Sequence, residues 1–300
     1  VLHPKSIFQR QKEPIPMMRP MRPVTPVGIA LVLAGLAILT GCASLENLTQ
    51  SGAVPKIRPG ILKGYLPSKT LPNSLTLIPA PPAADSTVFA LDEQIYRQTR
   101  AWRGTPRWDL ATKDANLMFP QAADTFSCAL NAPITEKDTP HLYMLMRRTL
   151  TDAGLSTYTA KDHYKRIRPF VVNRETSCTP DEEKHLMTNG SYPSGHSAIG
   201  WAWALILSEI APEQCDALLA RGRAFGQSRV ICGVHWQSDV IEGRFMGAGT
   251  VARLHADPAF RAEVEAAKVE LAAVQAKGLK PTRDCQEEAS ALAIQPPLAR

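Results

Sequence analysis

Past residue 41 this sequence has no apolar run long enough to cross a bilayer as a helix, which takes about 20 residues, so a chain that carries its chemistry on membrane-spanning helices is excluded. It has no CxxC and no Cys/His spacing of the zinc type, which removes a zinc site from the readings. Period-two alternation is almost missing, and with it the case for a sheet-based fold. A basic stripe with interleaved aromatics is lacking too. From Cys42 onward 29 Lys and Arg face 27 Asp and Glu, a balance of +2 against +6 for the whole chain, so nucleic acid is not an expected partner.

What is present begins with a leader. Residues 27–39, VGIALVLAGLAIL, follow Arg19 and Arg22 and end in Leu39-Thr40-Gly41-Cys42, the pattern of a secretory signal. The Leu-Thr-Gly-Cys end resembles a bacterial lipobox, whose cysteine receives a diacylglycerol and becomes the mature N-terminus. Cys42 is therefore expected to be a lipid anchor, with a plain small-residue cleavage site as the alternative. The expected location is the periplasm, with the protein held by the lipid at the outer membrane rather than the inner, because Ala43 and Ser44 follow the cysteine. Residues 1–16 precede Met17 without leader character and read as an overextended start.

The remainder divides by composition. Residues 42–84 form a Pro-, Gly-, Ser- and Thr-rich arm ending in IPAPPAAD, residues 85–278 one all-α domain, and residues 279–300 a loosely held tail. The periodicity predicts helices over 87–103, 106–117, 138–153, 159–166, 196–211, 213–229, 237–255 and 258–276, packed as a single-domain helical bundle. IGWAWALILSEI, residues 199–210, is apolar around most of its circumference and belongs at the bundle's centre. Besides Cys42 there are cysteines at 128, 178, 215, 232 and 285, an odd set in a chain sent to an oxidising compartment. Cys128 with Cys178 is the expected bridge, since both flank the motif-bearing core in loop-like sequence.

Three separated segments concentrate residues that bind phosphate and move protons: Lys161-DHYKRI-Arg168-Pro169, then Pro193-Ser194-Gly195-His196, then Ser228-Arg229-VICGV-His235-WQS-Asp239. Phosphoryl transfer asks of a protein mainly an in-line nucleophile and charge stabilisation. Lys161, Arg168 and Arg229 supply the charge, arginine through a fork that matches phosphate oxygens. Ser194 and Gly195 precede a helix, so their backbone N–H groups and the helix dipole are expected to face the same oxygens. His235 and Asp239 lie four apart on one helical face, where the carboxylate holds one imidazole nitrogen and leaves the other free to attack phosphorus. Lys165 and Arg166, between the first two cations, read as a solvated face, as charge runs usually are. His3, His141, His163, His185 and His255 read as ordinary histidines.

The three blocks resemble the signature of the type 2 phosphatidic acid phosphatase superfamily, KxxxxxxRP, PSGH and SRxxxxxHxxxD in that order. Within it the chain resembles the bacterial class A non-specific acid phosphatases, through Gly64-Tyr65-Leu66-Pro67, IPAPPA, FALDEQIYRQTRAWRGTPRW, SYPSGHSAIGWAWAL and GQSRVICGVHWQSD, over roughly residues 64–275. The resemblance implies hydrolysis of many small phosphomonoesters with no cofactor and no metal. It gives His235 the nucleophile's role, with a phosphohistidine intermediate, and His196 that of general acid and then base. It is also compatible with a homo-oligomer. Rival readings are an iron-type site on His196, His235 and Asp239, a vanadate-dependent haloperoxidase of the same superfamily, a phosphatase of lipid phosphates reached from an anchored soluble domain, and a lipoprotein that only binds phosphate.

Overall fold

The structure is a computed structural model that describes residues 54–294; the leader, Cys42 with its expected lipid, and residues 295–300 lie outside the described residues. Helices dominate. In chain order they are α1 (Ser74–Leu77), α2 (Thr87–Thr99), α3 (Pro106–Lys113), α4 (Ser127–Leu130), α5 (Pro140–Leu155), α6 (Tyr158–Tyr164), α7 (Pro169–Asn173), α8 (Pro180–Leu186), α9 (Gly195–Ile210), α10 (Cys215–Ile231), α11 (Gln237–Leu254), α12 (Pro258–Ala276) and α13 (Cys285–Ala293). The described strands, β1 (Lys56–Arg58) and β2 (Ile61–Leu62), make one small antiparallel hairpin. The chain is all-α, as its periodicity requires.

The starts of these helices follow local chemistry. Ser86 Oγ accepts from Phe89 N, Thr105 Oγ1 from Trp108 N, and Asp257 Oδ1 from Phe260 N, each satisfying a backbone donor that the first helical turn leaves orphaned. Proline occupies the first turn of α3, α5 and α12, where its missing N–H costs nothing. The apolar α9 is the central element, packed against α5, α10, α11 and α12. Its Trp203 is fully buried and donates Nε1–H to Met146 O at 3.0 Å. Glycines let the backbones meet, since a Cβ at Gly243 would overlap Ser194 O, and one at Gly247 would crowd Ala198 O. This close crossing seats the start of α9 against α11.

Two sequence expectations are corrected here. The cysteine bridges among the described residues are Cys128–Cys285 and Cys178–Cys232, not Cys128–Cys178, and Cys215 is bridged to none of these. Loop character singled out Cys128 and Cys178 but not their partners Cys285 and Cys232. The stretch past Lys280 is no loose tail over its described length, because α13 is tied to α4 by Cys128–Cys285 and Glu288 is buried against Arg221 and Arg283. Pattern loss in sequence does not register an anchor that lies 157 residues away. The segment before Asp85 lies along the helices, with Asp152 of α5 accepting Tyr65 N at 2.8 Å and Leu66 N at 3.0 Å.

Candidate active site

The first block does not lie on one helix. Lys165 adopts a left-handed conformation, φ 46°, and ends α6 at Tyr164, earlier than the periodicity suggests. Arg168, extended as the residue before a proline tends to be, stands just ahead of α7. The break lets Lys161, in the last turn of α6, and Arg168 converge from two directions. Both are buried, held by oxygens of the segment from Leu186 to Ser191 and, for Arg168, of Val234 as well. Lys161 Nζ donates to Gly190 O at 2.9 Å and Ser191 O at 3.2 Å. Arg168 donates to Leu186 O, Val234 O and Asn189 Oδ1 at 2.8, 2.9 and 2.6 Å.

The third block turns between α10 and α11. Gly233, at φ 78°, supplies the left-handed residue after α10 that lets Val234 N and His235 N fold back onto Arg229 O. Arg229 and His235 thus face one cavity. Arg229 is fully buried, and none of its three guanidinium nitrogens has a hydrogen-bond partner among the described residues. Burial lowers its pKa to about 10, as it does that of Arg168, which leaves both charged. A buried, unpartnered guanidinium is costly unless an anion satisfies it.

The neighbours of His235 fix its tautomer. Nδ1 lies 3.2 Å from Asp239 Oδ2, which can only accept, while Nε2 lies 3.2 Å from Arg168 Nη1, which can only donate. The proton is therefore on Nδ1 and the lone pair on Nε2. Burial, followed by Arg168, Lys161 and Arg229, holds the imidazolium pKa well below the usual histidine value. Half-buried His196, in the first turn of α9, has the opposite tautomer. Its Nε2–H donates to Ala115 O at 2.9 Å, so Nδ1 is its titrating atom, and burial and then Arg229 hold its pKa low as well.

Lys161, Arg168, Gly195, His196, Arg229 and His235 all line one cavity of about 590 Å³. Asp239 stands behind His235, fully buried. Ser194 has a different place from the one expected. Its N–H is spent on Asp239 O at 2.9 Å, and its hydroxyl caps α9 through Ser197 N. The donors left at that helix end are the N–H groups of Gly195 and His196, which have no partner within the helix. The iron-type triad is not assembled, since among the described residues no three His, Cys, Asp or Glu side chains converge as a metal site.

Sequence reasoning missed two residues behind the cavity. Arg166 is no solvated face: its side chain is nearly buried and joins Asp239 Oδ1 at 2.6 Å, Ser238 Oγ at 2.7 Å and Asp92 Oδ2 at 2.8 Å. Asp92, on α2, also accepts from Ser238 N at 2.8 Å. One guanidinium thus neutralises two buried carboxylates, one of which holds His235. The only signal for Asp92 was its place in FALDEQIYRQTRAWRGTPRW, a stretch shared with a family; Arg166 falls at an unspecified position of KxxxxxxRP, and nothing local distinguishes either from a surface charge. A second buried network supports the other histidine. Asp114 accepts from Arg221 and Ser228 beside Ala115, the partner of His196.

Comparison with known proteins bears on this site. A family model of the PAP2 superfamily matches residues 141–262, which include all three blocks. The chain is 47% identical over 209 residues to a non-specific acid phosphatase of Providencia stuartii, covering 69% of this chain and 84% of that protein. It is 44% identical to a non-specific acid phosphatase of Salmonella typhimurium, with 66% and 80% covered, and 40% identical to an acid phosphatase of Zymomonas mobilis, with 66% and 75% covered. A solved bacterial vanadium-dependent iodoperoxidase is similar over 70% of this chain and 64% of its own, at TM-score 0.43 and 19% identity, too distant a likeness to bear on activity.

Proposed function

This chain belongs to the acid phosphatases of the PAP2 superfamily, and we propose that it hydrolyses a broad range of phosphate monoesters through a phosphohistidine on His235, without a metal ion. The observation that carries the reading is the tautomer of His235, with its unprotonated Nε2 in a cavity shared with buried Lys161, Arg168 and Arg229, the last without a hydrogen-bond partner among the described residues.

In the first step Nε2 forms a bond to phosphorus as the ester P–O bond breaks. The electron pair leaves with the ester oxygen, which takes a proton from Nδ1 of His196. Charge on the transferring phosphoryl oxygens is met by Lys161, Arg168, Arg229 and the N–H groups that open α9. Asp239 stabilises the imidazolium that forms on His235, and Arg166 and Asp92 hold Asp239 in line. In the second step His196 Nδ1 takes a proton from water, whose oxygen bonds to phosphorus as the N–P bond breaks. The leader and Cys42 support an exported enzyme held at a membrane by lipid.

The test is turnover of an artificial aryl phosphate in EDTA, with rapid quenching of two variants. His196→Ala should accumulate phosphorylated enzyme from an activated substrate, and His235→Ala should form none and turn nothing over. Phosphoenzyme in the second variant, or activity restored only by added metal, would sink the proposal.

A further inference from the structure

The cavity is larger than a phosphoryl group needs, within the range of about 300–1,000 Å³ that holds drug-sized ligands. One end carries the cations and both histidines. Elsewhere the lining mixes polar side chains, among them Arg58, Asn116, Glu182 and Asn189, with apolar ones that folding leaves open to solvent: Ile57 of the β1–β2 hairpin at 49% exposed, Met118 at 45%, Leu155 at 37% and Tyr158 at 41%. Apolar residues scattered singly over a surface need no explanation, but here four of them border the cavity that holds the phosphate cradle.

The wall is also preformed. Thr151 Oγ1 donates to Leu62 O at 2.6 Å, Arg148 Nη2 to Gly64 O at 3.0 Å, and the Asp152 carboxylate takes the two backbone N–H groups that follow the hairpin. At the hairpin's turn Gly60, φ 78°, lies so close to Met118 that a Cβ there would overlap the methionine's methyl group. A group that settles against this wall pays little to order it.

We propose that this wall is the leaving-group site and that the preferred substrates are phosphomonoesters of apolar alcohols, aryl or alkyl, with Ile57 and Met118 as specificity-determining residues. The inference rests on the phosphatase reading. It uses the remaining length of a cavity whose charged end is already committed to the phosphoryl group. Folding keeps these side chains wet; a bound apolar alcohol covers them.

Three substrates separate the possibilities: n-octyl phosphate, 1-naphthyl phosphate and glycerol 1-phosphate. Octanol and glycerol are leaving groups of similar intrinsic reactivity, so a difference between them reports binding. The native enzyme should favour octyl over glycerol phosphate in kcat/KM by about tenfold or more, a size that a few buried methylenes supply. The Ile57→Ser, Met118→Ser variant should lose about tenfold on octyl and naphthyl phosphates. Its glycerol phosphate kinetics and its inhibition by inorganic phosphate should not move, which also verifies its fold. Because naphthol is intrinsically the better leaving group, the aryl arm is read from the variant alone: a loss on naphthyl phosphate with glycerol phosphate turnover unchanged supports the proposal for aryl alcohols, as the same loss on octyl phosphate does for alkyl ones. Equal rates on all three substrates, or a loss shared equally by them, would overturn it. Failure of the phosphatase reading would look different, with no turnover of any of the three.

Discussion

At the residue scale, His235 cannot be separated from the charges behind it. Replacing Asp92 by Asn keeps the shape but weakens the hold on Arg166, and so on Asp239. Such partners of a functional histidine are typically worth about 10–100-fold, and kcat should fall by that much while inhibition by inorganic phosphate stays unchanged. Arg166→Met is harsher, because it leaves Asp92 and Asp239 buried without a cation; a loss of about 3–5 kcal/mol is expected in denaturant unfolding. The pH dependence follows from the histidines. The proposed mechanism needs His196 protonated as the acid, and its pKa lies below the ordinary value of 6.5, so kcat/KM should fall with rising pH through a midpoint below 6.5. A bound phosphoryl group adds negative charge beside both imidazoles and favours their protonated forms, so the same limb in kcat should lie at higher pH. Coincident limbs in the two profiles would contradict the assignment.

At the element scale, α13 shows how a terminal helix with little pattern becomes part of the body. Cys128–Cys285 closes a separation of 157 residues, and loops of that order contribute about 2–5 kcal/mol through the unfolded chain. Cys285→Ser should lower stability by that amount in non-reducing denaturation. Activity at room temperature should survive, because Asp114 keeps its bonds from Arg221 and Ser228, and Ala115 therefore keeps its place against His196. Loss of activity without loss of stability would show that α13 acts on the site instead. The α10–α11 turn carries the other bridge, Cys178–Cys232, with Arg100 Nη2 donating to Val230 O and Ile231 O at its helix end. Arg229, in the last turn of α10, and His235, just ahead of α11, flank this doubly fastened turn.

At the scale of the whole molecule, burying three cations and two histidines in one cavity costs stability that an anion returns. Inorganic phosphate at about a hundred times its Kd should stabilise the fold by about 2.7 kcal/mol, which for a domain of this size is a rise of about 5–10 °C in Tm. Calorimetry with and without phosphate checks this, and Arg229→Met should abolish most of the shift. By itself the sequence determined the longer helices α2, α3, α5, α9, α10, α11 and α12, the central place of α9, and the separate blocks that hold Lys161, Arg168, His196, Arg229 and His235. Each of these is written in periodicity, capping or spacing, which act over a few residues. Only the tertiary structure decided the pairing of the cysteines, the capture of Arg166 between Asp92 and Asp239, the use of the Ser194 N–H by Asp239, and the hairpin's place in the lining of the cations' cavity. Those depend on segments far apart in the chain, where a charge or a methionine reads the same until packing has chosen its neighbours.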